Sequence, residues 1–275
     1  MVTRTVFAVG TALAAAVATT VFALHADAAS VPAAEAGFTL PPANAAFDYQ
    51  IGGAYAPPSG VTVVSRDREA PVAAGIYTIC YVNAYQTQPG EAAWWQAEHD
   101  DLLLRDDNGE YVVDGEWDEI LLDISTPEKR TAVAAVVNGW IDGCARDGFR
   151  AVEPDNIDSY DRSGGKLDIE DSVAYLTLLA PHAHAAGLAI GQKNTTDLGT
   201  RGRDLGLDFA ITEDCGRWDE CTDYTDVYGD HVIDVEYSDS TFRKACRAVG
   251  ATVSVVRRDL KVTAPGSGTY KYDAC

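Results

Sequence analysis

Basic residues are scarce in this chain: 21 Lys and Arg stand against 42 Asp and Glu, a formal net charge of −21 at pH 7. Such an excess argues against nucleic acid and anionic membranes as partners, because both would repel it. Two readings of the acidity stay open, solubility in an extracellular medium or attraction of a cationic substrate. The six cysteines form no C-x-x-C pair, and no histidine cluster accompanies them. A zinc site is therefore not expected, and neither is any other metal or cofactor. No apolar run after residue 28 is long enough to suggest a membrane-spanning helix. Internal repeats and a linker to a second domain are also lacking.

What is present begins with Arg4, the apolar run "TVFAVGTALAAAVATTVFAL" and the small-x-small site "ADA" at 26–28. Residues 1–28 thus read as a cleaved secretory signal peptide, with a membrane anchor as the alternative. The Ala- and Pro-rich segment 29–46 reads as a disordered leader. Residues 47–275 are enough for one domain with a large core. A secreted, extracellular monomer is expected, with no membrane association after signal cleavage. All six cysteines lie in the exported part, as an oxidising compartment allows. Six thiols permit about fifteen pairings. Proximity suggests Cys215 with Cys221. Cys246 with Cys275 would pin the C-terminus and leave Cys80 with Cys144.

Short apolar or alternating runs recur as strand candidates: "FDYQIG" (47–52), "VTVVSR" (61–66), "IYTICYV" (76–82), "EILLDI" (119–124), "FRAVEP" (149–154), "LAIGQK" (188–193), "DFAITE" (208–213), "HVIDVEY" (231–237) and "ATVSVV" (251–256). Helical patterns fall between them at 91–99, 127–146, 168–186 and 240–249. Thr126 before Pro127 is a good N-cap followed by proline at the first helical position. Alternation over this length predicts a single-domain α/β fold, the (β/α)8 TIM barrel. Nine candidates for eight places leave one extra strand, expected to be the first or the last.

Polar residues gather at the C-terminal ends of these strands: Asp123; Glu153 with Asp155; Lys193 with Asn194; Glu213 with Asp214; Glu236 with Tyr237. That end of a TIM barrel carries its active site. A single acid there could cap a helix or start a turn, but acids at four strand ends point to a polar cleft. Glu153 and Asp155 share parity, so Glu153 lies one layer deeper and Asp155 stands at the mouth. Lys193 is expected to be their charge partner. Asp123 and Glu236 could hold cationic groups of a substrate or could bond across the barrel. Tyr81, Tyr160 and Trp218 could stack on sugar faces or belong to the core.

The blocks "CYVNA", "LLDI", "GFRAVEPDNIDSY", "AHAAGLAIGQKN", "ITEDC" and "VEY", in this order and spacing, resemble glycoside hydrolase family 114 over residues 47–240. The resemblance implies a secreted, endo-acting (β/α)8 enzyme that cleaves α-1,4-linked galactosamine polymers. It also implies Asp155 and Glu213 as the catalytic acids. Asp155, beside the Asn156 amide, is expected to be the nucleophile. Glu213 is expected to be the general acid, kept protonated by the negative neighbours Asp214 and Glu236, and the reverse assignment is the alternative. Substrate contacts are expected from Asp123, Glu153, Asn156, Lys193, Asn194, Glu236, Tyr237 and Tyr81. "FDYQIGG" and "CYVNAYQTQPG" depart from the family pattern, which bears on the sugar subsites rather than on the reaction. The rival readings are a non-catalytic polysaccharide-binding barrel and a hydrolase of a different α-linked polymer.

Overall fold

The computed structural model describes residues 1–3 and 37–275. Most of the expected signal peptide and the start of the leader lie outside the described residues. The elements are β1 (Phe47–Tyr49), β2 (Val63–Asp67), β3 (Tyr77–Asn83), α1 (Ala92–Glu98), β4 (Val113–Asp114), β5 (Glu119–Ile120), α2 (Pro127–Asp147), β6 (Ala151–Asp155), α3 (Ile169–Ala185), β7 (Ala189–Lys193), α4 (Arg201–Asp204), β8 (Phe209–Glu213), α5 (Cys215–Trp218), α6 (Cys221–Tyr228), β9 (Val232–Glu236), α7 (Asp239–Ala248), β10 (Ser254–Arg258) and β11 (Tyr272–Ala274). Strands β1, β2, β3, β6, β7, β8, β9 and β10 lie side by side in that order, each parallel to the next. This is the TIM-barrel order, as expected from the alternation of patterns.

Three side-chain hydrogen bonds, two of them to backbone carbonyls, bridge the seam between β10 and β1. Arg258 Nη1 lies 2.8 Å from Asp48 Oδ1, Ser254 Oγ donates to the Ala45 carbonyl, and Tyr272 donates from β11 to the Phe47 carbonyl. Both members of the Arg258–Asp48 pair are fully buried. Removing either one would strand a charge, at a cost of about 3–5 kcal/mol.

The strand outside the barrel is neither the first nor the last candidate but the fourth. Within "EILLDI", Glu119–Ile120 pair antiparallel to Val113–Asp114 in a separate hairpin, and Leu121 and Leu122 make isolated bridges to Gln86 and Leu103 rather than joining the barrel. Leu121, Leu122 and Ile124 are fully buried in the layer between barrel and helices. An apolar run reports burial, and burial does not require a place in the sheet. The ninth strand of the sheet is β11, added antiparallel to β10.

Residues 37–46, expected to be part of the disordered leader, pack against the barrel instead. The Phe38 ring stacks on His184 with centroids 4.4 Å apart, and Tyr77 donates to the Thr39 carbonyl. Leu40 joins the apolar cluster inside the barrel with Phe47, Ile79, Phe209 and Ile233. Two large apolar residues in an otherwise small-residue segment are enough to dock it.

Helices α2 and α3 start as their sequences predict. Thr126 accepts from the Lys129 N–H, and Asp168 with Asp171 forms a capping box. Disulfides join Cys80 to Cys144, Cys215 to Cys221 and Cys246 to Cys275. The first ties β3 to α2, the second closes the turn behind Glu213, and the third anchors the C-terminus on α7. Peptide mapping of unreduced protein is expected to recover these three pairs; Cys215 or Cys221 found as a free thiol would contradict the closed turn.

Candidate active site

Strands β6, β7 and β8 end in the same local device. Asp155, Lys193 and Glu213 are each followed by a residue in left-handed backbone, Asn156 (φ 66°), Asn194 (φ 46°) and Asp214 (φ 57°). Asn and Asp tolerate this conformation because their short polar side chains bond locally. The left-handed turn ends the strict alternation of the strand. At β6, the consecutive residues Asp155 and Asn156 therefore address one cleft, and at β7 Asn194 reaches it above the buried Lys193.

At the centre is Lys193, whose side chain is 1% exposed. Its Nζ lies 3.0 Å from Asp155 Oδ1, 3.1 Å from Glu153 Oε1 and 3.3 Å from Glu213 Oε2. It also donates to the Tyr49 hydroxyl at 3.0 Å. Burial alone would drive a lysine toward its neutral form, but Asp155, Glu213 and Glu153 together outweigh it and hold the ammonium protonated. Lys193 is thus the charge partner of the strand-end acids, and, buried beneath the floor, it does not line the cleft where a substrate contact was expected of it.

The acids around it differ. Glu153 is fully buried and accepts from Ser65 Oγ at 2.6 Å and the Tyr49 hydroxyl at 2.8 Å. Burial pushes its carboxyl up, opposed by Lys193 and these two donors. Glu153 is thus a deep support and does not line the cleft. Asp155 stands one layer higher and accepts from the Tyr81 hydroxyl at 2.7 Å and the Asn156 N–H at 2.8 Å. Burial disfavours its charge, yet Lys193, Tyr81 and Asn156 prevail and hold it below the usual carboxylate range. The Asn156 side-chain amide itself turns to Asn83 Oδ1, so the backbone N–H is what serves Asp155. Tyr81 stays a neutral donor, its phenol raised by burial and by Asp155.

Glu213 is held by three donors: the Tyr237 hydroxyl, Asn194 Nδ2 at 3.3 Å and Lys193. Its side chain is 26% exposed against 16% for Asp155, so it is the more open of the two. The negative neighbours expected for it are turned elsewhere. Asp214 accepts from the Tyr237 N–H and pairs with Arg217.

Glu236 is a correction, because it does not reach the cleft. It follows Val235 on β9, so it faces the helices while Val235 and Tyr237 face the barrel. There it accepts from the Gly216 N–H at 2.6 Å. A Cβ on residue 216 would come within 2.7 Å of that carboxylate, which explains the glycine. Asp123 is a second correction. It lies beyond β5, outside the barrel, where it accepts from Ser125 and sits 3.8 Å from Lys129 at the start of α2. Tyr160 and Trp218 are also away from the cleft, and the Arg217 guanidinium covers the Trp218 ring. Among the described residues, the grouping with metal-like spacing is Cys215, Cys221, Asp234 and Glu236, and its two sulfurs are spent in a disulfide.

The cleft above these strand ends has a volume of about 490 Å³. Tyr81, Asp155, Asn156, Asn194, Glu213 and Tyr237 line its floor, and the β4–β5 hairpin supplies a wall through Asp114, Glu116, Trp117 and Glu119. Sequence reasoning passed over that wall. Its residues follow no strand end, and only the fold brings the hairpin beside β3 and β6. Asp67, Asp114, Glu116, Glu119, Asp155, Asp158 and Glu213 face Arg162 and Lys261 across this space. Arg162 is committed to Asp114 at 2.7 Å and Asp158 at 2.9 Å, and Lys261 Nζ lies 4.8 Å from the centre of the Trp117 ring. The cleft is strongly acidic.

Two carboxyls flanking one buried ammonium in an acidic cleft suit acid-assisted displacement at an acetal carbon. Among solved structures, the chain is similar to Aspergillus fumigatus Ega3 in complex with galactosamine, with a TM-score of 0.70 and 22% identity over 85% of this chain and 96% of that one. It is also similar to the glycoside hydrolase domain of PelA from Pseudomonas aeruginosa, with a TM-score of 0.58 and 14% identity over 82% of this chain and 98% of that one. These likenesses show the barrel fold. No curated relative matches the chain. The family model for glycoside-hydrolase family GH114 matches residues 27–275, and the chain belongs to that family.

Proposed function

We propose that this glycoside hydrolase is a secreted, endo-acting enzyme that cleaves α-1,4-linked galactosamine polymers by double displacement. The observation that carries the reading is the sharing of one buried ammonium, Lys193, by Asp155 and Glu213 at the floor of an acid-rich cleft. Each carboxylate oxygen lies little more than 3 Å from that nitrogen. The two oxygens are therefore closer together than about 6.5 Å, the lower edge of the separations found in inverting enzymes. This favours retention through a covalent intermediate. Asp155, held ionised, is the nucleophile, and Glu213, the more exposed acid, protonates the leaving oxygen and then activates water. The galactosamine in the Ega3 complex supports an amino sugar as ligand, and the acid excess of the cleft supports a cationic one. Three disulfides fit export to an oxidising compartment.

Digestion of deacetylated and N-acetylated polygalactosamine, with product sizes read by mass spectrometry, tests this. Oligomeric products from the deacetylated polymer are expected, and no cleavage of it would end the proposal. Salt adds a second arm. The reach of charge attraction shrinks from about 30 Å at 0.01 M to about 8 Å at 0.15 M. Over that range kcat/KM should fall much more on the cationic polymer than on the neutral one. Equal falls would mean that the acidity serves solubility alone.

A further inference from the structure

The cleft holds another carboxyl close to the reacting pair that the mechanism above does not use. Glu119 opens β5 and lines the hairpin wall at 6% exposure. Its Oε2 accepts from Asn83 Nδ2 at 2.8 Å. Asn83 is the direct neighbour of Asp155 across the β3–β6 pairing, and its Oδ1 takes the Asn156 amide. Glu119 thus stands one side chain away from the proposed nucleophile. Its Oε1 accepts no hydrogen bond among the described residues, and no Lys, Arg or His there forms an ion pair with it. The nearby guanidinium, Arg162, is already taken by Asp114, Asp158 and Asn156.

A buried, cleft-lining carboxyl with a free oxygen and no counter-cation is a costly arrangement unless a cation arrives to use it. We propose that Glu119 receives the ammonium group of a sugar unit bound beside Asp155, and so selects free-amine over N-acetylated units. The proposal rests on the amino-sugar reading above and assigns the residue that enforces it. An N-acetyl group would bring no charge to offset Glu119 and would add bulk against the hairpin.

The surroundings of Glu119 make this selection visible through protons. Burial raises its carboxyl to about 7; the Asn83 bond on β3 opposes this, Asp155 on β6 and Asp114 on β4 add to it, and Arg162 beyond β6 opposes it. With a raised value, the carboxyl is neutral below pH 7 and charged above it. An ammonium pairs with the charged form, so ligand binding at pH 6 must expel the proton. Galactosamine, cationic at that pH, is expected to release close to one proton per molecule bound. N-acetylgalactosamine is expected to release none.

Calorimetry of wild type and Glu119→Gln with these two sugars, in two buffers of different ionisation enthalpy, is the test. The substitution is expected to weaken galactosamine binding about tenfold, in line with the loss of one charge-assisted hydrogen bond. It should abolish proton release and leave N-acetylgalactosamine affinity unmoved. A purely structural Glu119 would shift both sugars alike, and that result, or no shift for either, overturns the proposal. Should the variant fail to fold, wild type alone decides, because galactosamine bound no more tightly than N-acetylgalactosamine above pH 7, where Glu119 is ionised, is equally fatal. Polymer cleavage by wild type is scored separately, so a failed amino-sugar reading is distinguished from a wrong role for Glu119.

Discussion

Asp155→Asn is expected to fold normally and to lose about 10³- to 10⁵-fold in turnover, the range seen when a member of a catalytic group is removed. The amide keeps the shape and can still accept from Tyr81, but it cannot attack the sugar carbon or carry the glycosyl group. Lys193 keeps Glu153 and Glu213 as partners, so its charge is not stranded. Unfolding temperature and kcat measured on the same preparation separate the two effects. Retention of more than about a tenth of wild-type turnover would remove Asp155 from the mechanism.

Glu213→Gln is expected to be nearly inactive on polymer and partly active on glycosides with good leaving groups. The natural leaving oxygen needs a proton as the bond breaks, whereas an activated phenolate does not. Rates for both variants on a polymer and on an activated aryl glycoside give the assignment directly. Recovery confined to Glu213→Gln makes Glu213 the acid. Recovery confined to Asp155→Asn exchanges the roles, leaving Tyr237 and Asn194 as the groups that hold a nucleophilic Glu213.

The misplacement of Glu236 and that of Asp123 have different causes. Glu236 was legible and misread: in "VEY" the glutamate and the tyrosine are consecutive in the strand expected at 231–237, and alternation along such a strand does not let both face the cleft. The same rule does not bar Asp155 with Asn156, because Asn156 is a left-handed residue just past the strand. Asp123 could not have been resolved locally. "LLDI" carries a buried-strand pattern, and only the competition among nine candidates for eight barrel places sends it to the helix layer.

The sequence by itself determined the alternation of strands and helices, the helix caps and the delivery of Asp155, Lys193 and Glu213 to one end of a barrel. These follow from side-chain period, capping chemistry and strand direction, which act within a few residues. Only the tertiary structure decided that Lys193 is shared by three acids, that the 113–120 hairpin walls the cleft, and that Glu119 stands beside Asp155 with an unused oxygen. Those relations join residues distant in sequence. They depend on which buried faces meet, and charge and burial at such meetings are properties of the assembled barrel.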